Sequence, residues 1–321
     1  MPTNRTRTSD ERLAQVATLY YDQRLRQAEI AERLGDSRSN ISRLLTEARR
    51  RGIVEIRIHR PLSLDAELGS ELKQRFALRD ALVLADGEND ALRRVGELAA
   101  RFLERSLDGI GVLAISWGMA LREVVNGLAA TRRRPIEIVQ MIGGVGSGAS
   151  NVDGTELARR FADALGGTCD YLHAPLLADD EETAGTVMRE SSVRRVLEKA
   201  ARADAALVGI GALAPEVSSL VRAGYLDERD VRRLRRKGAV GDICGRHFDA
   251  WGRRSDVELN RRVVGLDLES LRRIPLVIGV ASGHTKAEAI LGALRGSHVD
   301  ALVTDAAAAH GVLQLDDEAG A

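Results

Sequence analysis

The sequence QAEIAERLGDSRSNISRLLT, residues 27–46, has the pattern of two short helices joined by a tight turn. Helical periodicity covers residues 27–34, and Gly35 then interrupts it. Ser37 or Ser39 can cap the helix that follows. The turn needs a residue that tolerates positive φ, and glycine does so without steric cost. This arrangement predicts a helix-turn-helix.

The apolar residues of this segment predict a small core. Ala31 is the small residue at the point where the two helices cross. Ile41 and Leu44 face back from the second helix toward Ile30 and Leu34 on the first. A preceding helix over residues 12–22 adds an apolar face made of Leu13, Val16, Ala17 and Tyr20.

This packing leaves a polar and basic face on the second helix, which we interpret as the DNA-binding face. Its members are Arg38, Ser39, Asn40, Ser42, Arg43 and Thr46. Arginine can bond guanine in a bidentate manner, asparagine can do the same with adenine, and serine suits bases or phosphates. The competing interpretation is the solvated polar face that any small helical domain has.

Two neighbouring segments have alternative roles. The arginines at residues 49–51 either contact phosphates or complement the dipole at the end of the helix. Residues 54–58 alternate apolar and charged side chains, as a half-exposed strand does. With Arg57, His59 and Arg60, this strand forms either a wing against the DNA backbone or a linker.

Charge and composition agree with a DNA-binding segment that is attached to a larger globular domain. Residues 1–60 contain 13 arginines and 8 acidic residues, a net charge of +5, whereas the whole chain is neutral. The two cysteines, Cys169 and Cys244, fit neither a zinc motif nor a disulfide framework. The N-terminus is polar, unlike a signal peptide, and no apolar run approaches the roughly 20 residues that span a bilayer. We expect a cytoplasmic protein with no metal, no cofactor and no membrane contact.

Beyond residue 60 the pattern changes to apolar strands that alternate with helices. The predicted strands are residues 81–85, 111–115, 136–142, 205–211, 276–281 and 300–304. The helices between them are predicted at residues 90–106, 117–130, 153–166, 187–203 and 284–295. Strands that are apolar throughout indicate an α/β fold, a Rossmann-like parallel sheet covered on both faces. The predicted domains are residues 1–60 and 61–321, with a connecting helix within 61–80.

Sequence blocks along nearly the whole chain share the order and spacing of one protein family. They are QAEIAERLGDSRSNISRLLTEARRRGIVEIRI (27–58), GVLAISWGMAL (111–121), VQMIGGVG (139–146), ELARRFADALGG (156–167), YLHAPLLAD (171–179), ADAALVGIGAL (203–213), GAVGDICGRHFDAWG (238–252), SGHTKAEAILGALRG (282–296) and VDALVTDAAAA (299–309). In these blocks the chain resembles the SorC family of sugar-binding bacterial transcriptional regulators, which is related to the deoxyribonucleoside regulator.

The resemblance implies an architecture and a function. A SorC-type regulator is a homotetramer or homodimer that binds a double-stranded DNA operator, as the repressor or activator of a carbohydrate-utilisation operon. Its C-terminal domain resembles sugar-phosphate isomerases and has lost the catalytic role. That domain binds a sugar or phosphosugar effector, which shifts the affinity for DNA. Residues 61–321 would then be the effector-binding and oligomerisation domain.

Turns that follow predicted strands carry the first candidate effector residues. Ser116, Trp117 and Gly118 open a helix directly after a strand, and such a helix N-terminus binds anions. Gly143 and Gly144 follow the next strand in the same way. Glycine clusters at these places also serve as plain tight turns.

Two charged residues complete the candidate effector site. Asp242 can accept hydrogen bonds from hydroxyl groups, or it is a turn or cap residue. Lys286 follows the turn Ser282-Gly283 and is the phosphate cation by resemblance to the family's SGG-x-x-K pattern. His284 stands here in place of the second glycine.

One departure from the family bears on the ligand. Ile142 occupies a position where phosphosugar-binding relatives can carry a basic residue. Fewer cations are therefore visible for a phosphate. The preference for a phosphosugar over a free sugar or polyol is accordingly small.

The alternative function is a sugar-phosphate isomerase-like enzyme with an attached DNA-binding head. Such an enzyme needs a base beside the sugar carbons. Asp242, His247 and Asp249 are the candidates, and no sequence pattern pairs them with a partner. A non-enzymatic regulator is therefore favoured. A purely structural DNA-binding protein would not need the long, glycine-punctuated α/β domain.

Overall fold

The chain divides into two compact units, Met1–Pro61 and Leu62–Ala321. The structure is a computed structural model that describes residues 4–54, 61–85, 90–128, 135–145 and 154–320. The predicted strand at 54–58, with Arg57, His59 and Arg60, lies outside the described residues except for its first position.

The N-terminal unit consists of helices. They are α1 (Asn4–Ala17), a π-helical turn (Thr18–Asp22), α2 (Gln27–Leu34) and α3 (Arg38–Arg50). The two predicted helices of the helix-turn-helix are thus confirmed. The predicted helix at 12–22 begins earlier, and its last five residues are π-helical.

Local chemistry explains the turn between α2 and α3. Gly35 has φ +64°, the left-handed conformation that the sequence pattern predicts. Ser37, rather than Ser39, is the N-cap of α3, and its hydroxyl accepts a hydrogen bond from the backbone N–H of Asn40 at 3.1 Å. One glycine and one serine therefore set the angle at which α3 leaves α2.

The core of this unit is formed by the facing sides of the helices. Ala31 is buried at the crossing, as predicted, and Ile41 is fully buried. Leu44 packs against this core, as predicted, although it is only partly buried, and Leu45, which was not predicted, is buried within the core. Both leucines fit helical spacing, because Leu44 follows Ile41 by three positions and Leu45 follows it by four, and both spacings share a face.

Replacing Gly35 by alanine should destabilise the N-terminal unit by about 1–2 kcal/mol, because a Cβ disfavours positive φ. No atom lies within 4 Å of a Cβ built there, so crowding adds nothing. Gly35→Asn should cost less, since asparagine tolerates the left-handed region. Hydrogen exchange of the α2 and α3 amides in the full-length protein measures the change. Equal losses in the two variants would contradict the backbone explanation.

The C-terminal unit is built on a seven-stranded parallel sheet. The strands of this whole unit, which belong to two sheets, are in chain order β1 (Asp80–Leu84), β2 (Val112–Ile115), β3 (Glu137–Gln140), β4 (Thr168–Asp170), β5 (Ala205–Gly209), β6 (Gly211–Ala212), β7 (Ala239–Ile243), β8 (Arg246–Asp249), β9 (Val277–Val280) and β10 (Ala301–Asp305). The parallel sheet has the order β1-β10-β9-β5-β2-β3-β4, and β6-β7-β8 form an antiparallel sheet. The chain runs outward from β2 through β4 in one direction and from β5 through β10 in the other. The order therefore reverses between β2 and β5.

Helices surround this sheet. They are α4 (Ala66–Arg75), α5 (Ala91–Ser106), α6 (Met119–Gly127), α7 (Gly154–Leu165), α8 (Glu181–Arg189), α9 (Ser191–Ala200), α10 (Ser219–Arg222), α11 (Glu228–Arg236), α12 (Glu258–Arg262), α13 (Leu268–Leu271), α14 (Ala287–Arg295) and α15 (Ala306–Gly320). The helix predicted within 61–80 is α4, which packs on β1 through the fully buried Leu72. No helix in the described ranges is both long and apolar enough to span a bilayer.

The α/β fold is as predicted, and the differences concern short elements. The segment 205–211 is two strands in two sheets, with a break at Ile210. The helix predicted at 187–203 is two helices, because Glu190 has the extended ψ of 135°. The edge strand β4 and the antiparallel sheet were not predicted, since strands of two to five residues with polar or glycine positions lack a clear period.

Candidate functional site

The predicted DNA-binding residues lie on α3, and most of them are exposed. The exposed members are Arg38, Ser39, Ser42, Arg43 and Thr46. None of these side chains contributes to the helical core, so each is available to a partner. The hydroxyl of Thr46 donates to the backbone oxygen of Ser42 at 3.1 Å and keeps its acceptor capacity.

Asn40 differs from the other predicted contacts because it is partly buried and already bonded. Its amide nitrogen donates to both carboxylate oxygens of Asp36, at 2.9 and 2.8 Å. Its amide oxygen accepts from Nη2 of Arg43 at 2.8 Å. In this state Asn40 fastens α3 to the turn and orients Arg43, so reading a base would require it to release Asp36.

The arginines at the end of α3 divide into two groups. The Glu47 carboxylate accepts from Arg50 at 2.5 Å and from Arg51 at 2.6 Å, and these bonds lower the pKa of Glu47 to about 2. Arg51 also pairs with Asp10 at 3.0 Å. Arg49 is exposed and has no ion pair within the described residues. Of the three, Arg49 is thus the one free to meet a phosphate.

A cavity of about 260 Å³ lies at the carboxyl ends of three neighbouring strands of the parallel sheet. Residues that follow β2, β5 and β9 line it, and the hairpin of β7 and β8 adds another wall. This position is the point where the strand order reverses. Open α/β sheets bind their ligands at such a point.

The turn after β2 supplies one wall of the cavity. Trp117, Gly118 and the first residues of α6, Met119 and Ala120, line it. The first N–H groups of a helix have no partner inside the helix, so this wall can bind an anion. Ser116 lies behind the wall, where its hydroxyl accepts from the backbone N–H of Gly209 at 3.3 Å. Ser116 therefore joins the ends of β2 and β5 and does not line the cavity.

Lys286 supplies a cation to the cavity. Its ammonium donates to the backbone oxygen of Ile210 at 2.8 Å. Burial lowers the pKa of Lys286 to about 8, the nearby carboxylate of Asp242 opposes this shift, and the positive charge of Arg222 reinforces it. A lysine in these surroundings lacks a full counter-charge, which an anionic ligand would supply.

Asp242 lies opposite on β7, directly across from Gly211 on β6. A Cβ at Gly211 would meet the Asp242 carboxylate, so the glycine lets this side chain lie close to the backbone of β6. One Asp242 oxygen accepts from the backbone N–H of Gly245 at 3.1 Å. The carboxylate keeps further acceptor capacity, which suits hydroxyl groups.

Gly283 lies in the turn between β9 and Lys286. It has φ +91°, and its N–H donates to Asp305 at 2.7 Å. Asp305 is buried at the end of β10, so that strand fixes the path of the turn. His284 is exposed and packs against Gly311 of α15. The residue that replaces the family glycine thus adds no side chain to the cavity wall.

Gly143 and Gly144 are not brought to the cavity. Gly143 N–H donates to Val264 at 3.0 Å, and Gly144 N–H donates to Ala174 at 2.8 Å. A Cβ at Gly143 would collide with the backbone of Pro175. These glycines permit close packing of three chain segments, so they form neither a wall of the cavity nor a tight turn. Gly146 lies outside the described residues.

The cavity contains residues that the sequence analysis missed. Glu216 and Arg222 reach it from the segment between β6 and α11, and Cys244 reaches it from the β7–β8 turn. The signal available in the sequence was Gly209-Ile210-Gly211, a strand followed by glycines. Glu216 and Arg222 carry no such signal, because their segment has no regular period.

The three residues considered for catalysis, Asp242, His247 and Asp249, do not form a general base with a hydrogen-bonded partner in the cavity. His247 on β8 lies opposite Asp242 on β7 in the strand register. It is fully buried, and burial lowers its pKa. One Asp249 oxygen accepts from the backbone N–H groups of Trp251 and Arg253, at 2.9 and 2.8 Å. Among the three, Asp242 alone lines the cavity.

Comparison with known proteins finds relatives for both units. A family model described as “Putative sugar-binding domain” matches residues 60–314, and one described as “Sigma-70, region 4” matches residues 10–51. The chain is 36% identical over 312 residues to the transcriptional regulator LsrR of Enterobacter sp. (strain 638), covering 96% of this chain and 94% of that protein. It is 32% identical over 295 residues to the deoxyribonucleoside regulator of Bacillus subtilis (strain 168), covering 91% of this chain and 93% of that one. The crystal structure of the full-length sorbitol operon regulator SorC from Klebsiella pneumoniae has a TM-score of 0.71 and 30% identity, covering 95% of this chain and 99% of that chain.

Proposed function

This chain belongs to the SorC family of sugar-binding transcriptional regulators, and we propose that a sugar or phosphosugar in its cavity controls the affinity of its helix-turn-helix for an operator. The observation that carries the proposal is the grouping of a helix N-terminus, Lys286 and Asp242 around one cavity at the switch point of the sheet. Hydroxyl groups and an anionic group are the chemistry that these donors and acceptors match.

A phosphosugar fits the charges better than a free sugar. Lys286 and Arg222 are cations, and the amides of α6 add partial positive charge near them. Asp242 and Glu216 are acceptors for hydroxyl groups on the same ligand. Arg222 also offsets the absence of a basic residue at position 142.

The DNA-binding face is proposed to read an operator in the cytoplasm through α3. Arg38, Ser39, Ser42 and Arg43 would meet bases or phosphates, and Asn40 would join them after releasing Asp36. Operators of helix-turn-helix proteins contain two half-sites, so a homodimer or homotetramer is proposed. An effector that favours one arrangement of the two heads would change the half-site spacing they can span.

A gel-shift screen tests this function. The full-length protein is first used to select its operator from random duplexes. Pentoses, hexoses, polyols and their phosphates are then added to the complex. At least one should change operator affinity about tenfold, and a thermal shift should report the same compound. If no compound alters operator binding, the effector proposal fails.

Affinity for a phosphosugar should fall as the pH rises from 7 to 9. With the pKa of Lys286 lowered to about 8, its ammonium is mostly protonated at pH 7 and mostly neutral at pH 9. Binding a phosphate then requires proton uptake, which weakens affinity by up to about tenfold per pH unit above the free pKa. Calorimetry should therefore show about tenfold weaker binding at pH 9.

The control for this pH dependence is Lys286→Met, which should bind weakly and without a slope between pH 7 and 9. A free sugar should also show no slope, because it needs no cation. A wild-type phosphosugar affinity that stays constant over this range would argue against Lys286 as the phosphate partner.

We propose that the chain is not an enzyme. Its named relatives are transcriptional regulators, and of the three residues considered for catalysis only Asp242 lines the cavity. Turnover of a sugar phosphate by the pure protein, lost in Asp242→Asn, would revive the isomerase-like alternative.

A further inference from the structure

Helix α11 carries a stripe of arginines that the proposed function does not use. The arginine stripe consists of Arg229, Arg232, Arg233 and Arg236, and all four residues are exposed. Positions three and four apart share one face of a helix, so the four guanidinium groups extend from the same side. The buried residues of the helix, Val231 and Leu234, lie on the opposite side. The arginine stripe therefore faces solvent and contributes nothing to the core.

Ion pairs within α11 neutralise only part of the arginine stripe. Arg232 pairs with Glu228 at 3.3 Å, and Arg233 pairs with Asp230 at 2.9 Å. Both arginine side chains are more than half exposed, and ion pairs in such surroundings contribute little, so another anion can replace the carboxylates. The first and last arginines of the stripe form no ion pair with any residue that the structure describes.

The helix is positively charged although the unit that carries it is negative. Residues 227–237 contain six cations and three carboxylates, a net charge of +3, whereas residues 61–321 have a net charge of −5. Glu288 of α14 pairs with Arg235 at 3.0 Å and lowers the local charge to +2. The adjacent segment 253–262, part of which lines a cavity together with α11, adds four arginines and only two carboxylates. The excess therefore remains positive after the neighbouring carboxylates are counted, and such a patch is typical of a surface that binds a polyanion.

Helix α11 lies at the edge of the sheet where the chain from the helix-turn-helix enters the C-terminal unit. Arg235 holds the end of α11 against Glu288 at the start of α14, which follows β9. The chain enters the unit beside the carboxyl end of β1, where the N–H of Ala85 donates to the oxygen of Ser63 at 2.9 Å. Because β1 and β9 belong to one parallel sheet, their carboxyl ends lie at the same edge.

We propose that the arginine stripe binds phosphates of duplex DNA beside the half-site that α3 recognises. At 1.5 Å per residue the stripe is about 10 Å long, and B-DNA carries a charge about every 1.7 Å, so several phosphates match its length. A guanidinium can bond a phosphate in a bidentate manner. The effector-binding unit would thus add affinity that does not depend on base sequence. This inference rests on the operator binding of the proposed function and is independent of the effector.

The test compares two duplexes with the full-length protein. One contains the selected operator alone, and the other adds ~15 base pairs on each side, roughly 50 Å of duplex. On the long duplex, the triple variant Arg229→Gln/Arg232→Gln/Arg236→Gln should bind about tenfold or more weakly. Its slope of log affinity against log salt concentration should fall by about two to three units, since three phosphate contacts are lost. On the short duplex it should bind as the wild type does, and its base discrimination should not change. Glutamine is chosen because it favours helix as arginine does.

The matched control is Arg194→Gln/Arg195→Gln/Arg202→Gln, which removes three exposed charges from the same unit. These residues belong to α9 and the turn after it, and that helix ends at the opposite edge of the sheet, where Lys199 pairs with Glu137 at the start of β3. The control should bind both duplexes as the wild type does.

The proposal is overturned if the two triple variants lose affinity equally, or if the α11 variant keeps the wild-type affinity and salt slope on the long duplex. An equal loss on both duplexes would also overturn it, because the arginines would then not act beside the half-site. So would a change of oligomeric mass, because the arginine stripe would then pair with carboxylates of a second copy. Wild-type binding to the short duplex measures operator recognition alone, so a failure of the proposed function is seen separately.

Discussion

Replacing Lys286 by alanine should abolish the effector response and leave operator binding intact. The ammonium lies in the cavity and donates to one neutral acceptor, the backbone oxygen of Ile210 at 2.8 Å. Losing a charge-assisted contact to a phosphate costs about 2–3 kcal/mol, or roughly a 30- to 150-fold loss of affinity. Fluorescence anisotropy on the selected operator, with and without the effector, measures both properties.

Lys73→Ala is the matched control, because Lys73 is exposed on α4 and does not line the cavity that contains Lys286. It should respond to the effector as the wild type does. Thermal unfolding without ligand shows whether Lys286→Ala remains folded. A folded Lys286→Ala protein that still responds at the wild-type effector concentration would mean that the phosphate group binds elsewhere.

The second large effect is expected for Arg43→Ala, which should weaken specific operator binding by about 1–3 kcal/mol. Arg43 is exposed on α3, and its bond to Asn40 at 2.8 Å holds the guanidinium in a defined position. The substitution removes a bidentate contact to one base. The variant should therefore discriminate less among the four bases at one position of each half-site. Binding to a set of single-base operator variants measures this pattern.

Two arginines of the same unit provide the comparison. Arg49→Ala should weaken binding to all duplexes alike. It should also reduce the slope of log affinity against log salt concentration by about one unit, as expected for the loss of one phosphate contact. Arg33→Ala, on the exposed side of α2, should change neither. If Arg43→Ala lowers the affinity for every operator variant by the same factor, Arg43 contacts phosphate and does not read a base.

The elements that the sequence predicted well are those with local causes. The turn at Gly35 follows from its need for positive φ and from the capping of α3 by Ser37. The strands β9 and β10 are buried along their whole length, so their short apolar runs indicate central strands of a parallel sheet. Turns fixed by local backbone chemistry and strands that are buried along their whole length can therefore both be predicted from the sequence.

The predictions that failed, and the residues that were missed, depend on tertiary contacts. Gly143 and Gly118 both follow strands, yet one packs against Pro175 and the other opens onto the cavity. Nothing in the local pattern separates these two uses of glycine. Arg222 comes to the cavity because α10, which ends at Arg222, lies beside the turn at Gly118. The omission of Leu45 is of a different kind, an incomplete assignment of the buried face of α3.

The bond between Asp305 and the turn at Gly283 has a consequence for biosynthesis. The cavity needs β10, whereas the helix-turn-helix is complete within Met1–Pro61. Domains fold as units during translation, with the N-terminal one first. In a chain that emerges from the ribosome, the helix-turn-helix could thus fold roughly 250 residues before the effector cavity is complete. Ribosome-stalled chains that end before residue 305 would carry a folded helix-turn-helix and lack a complete effector cavity.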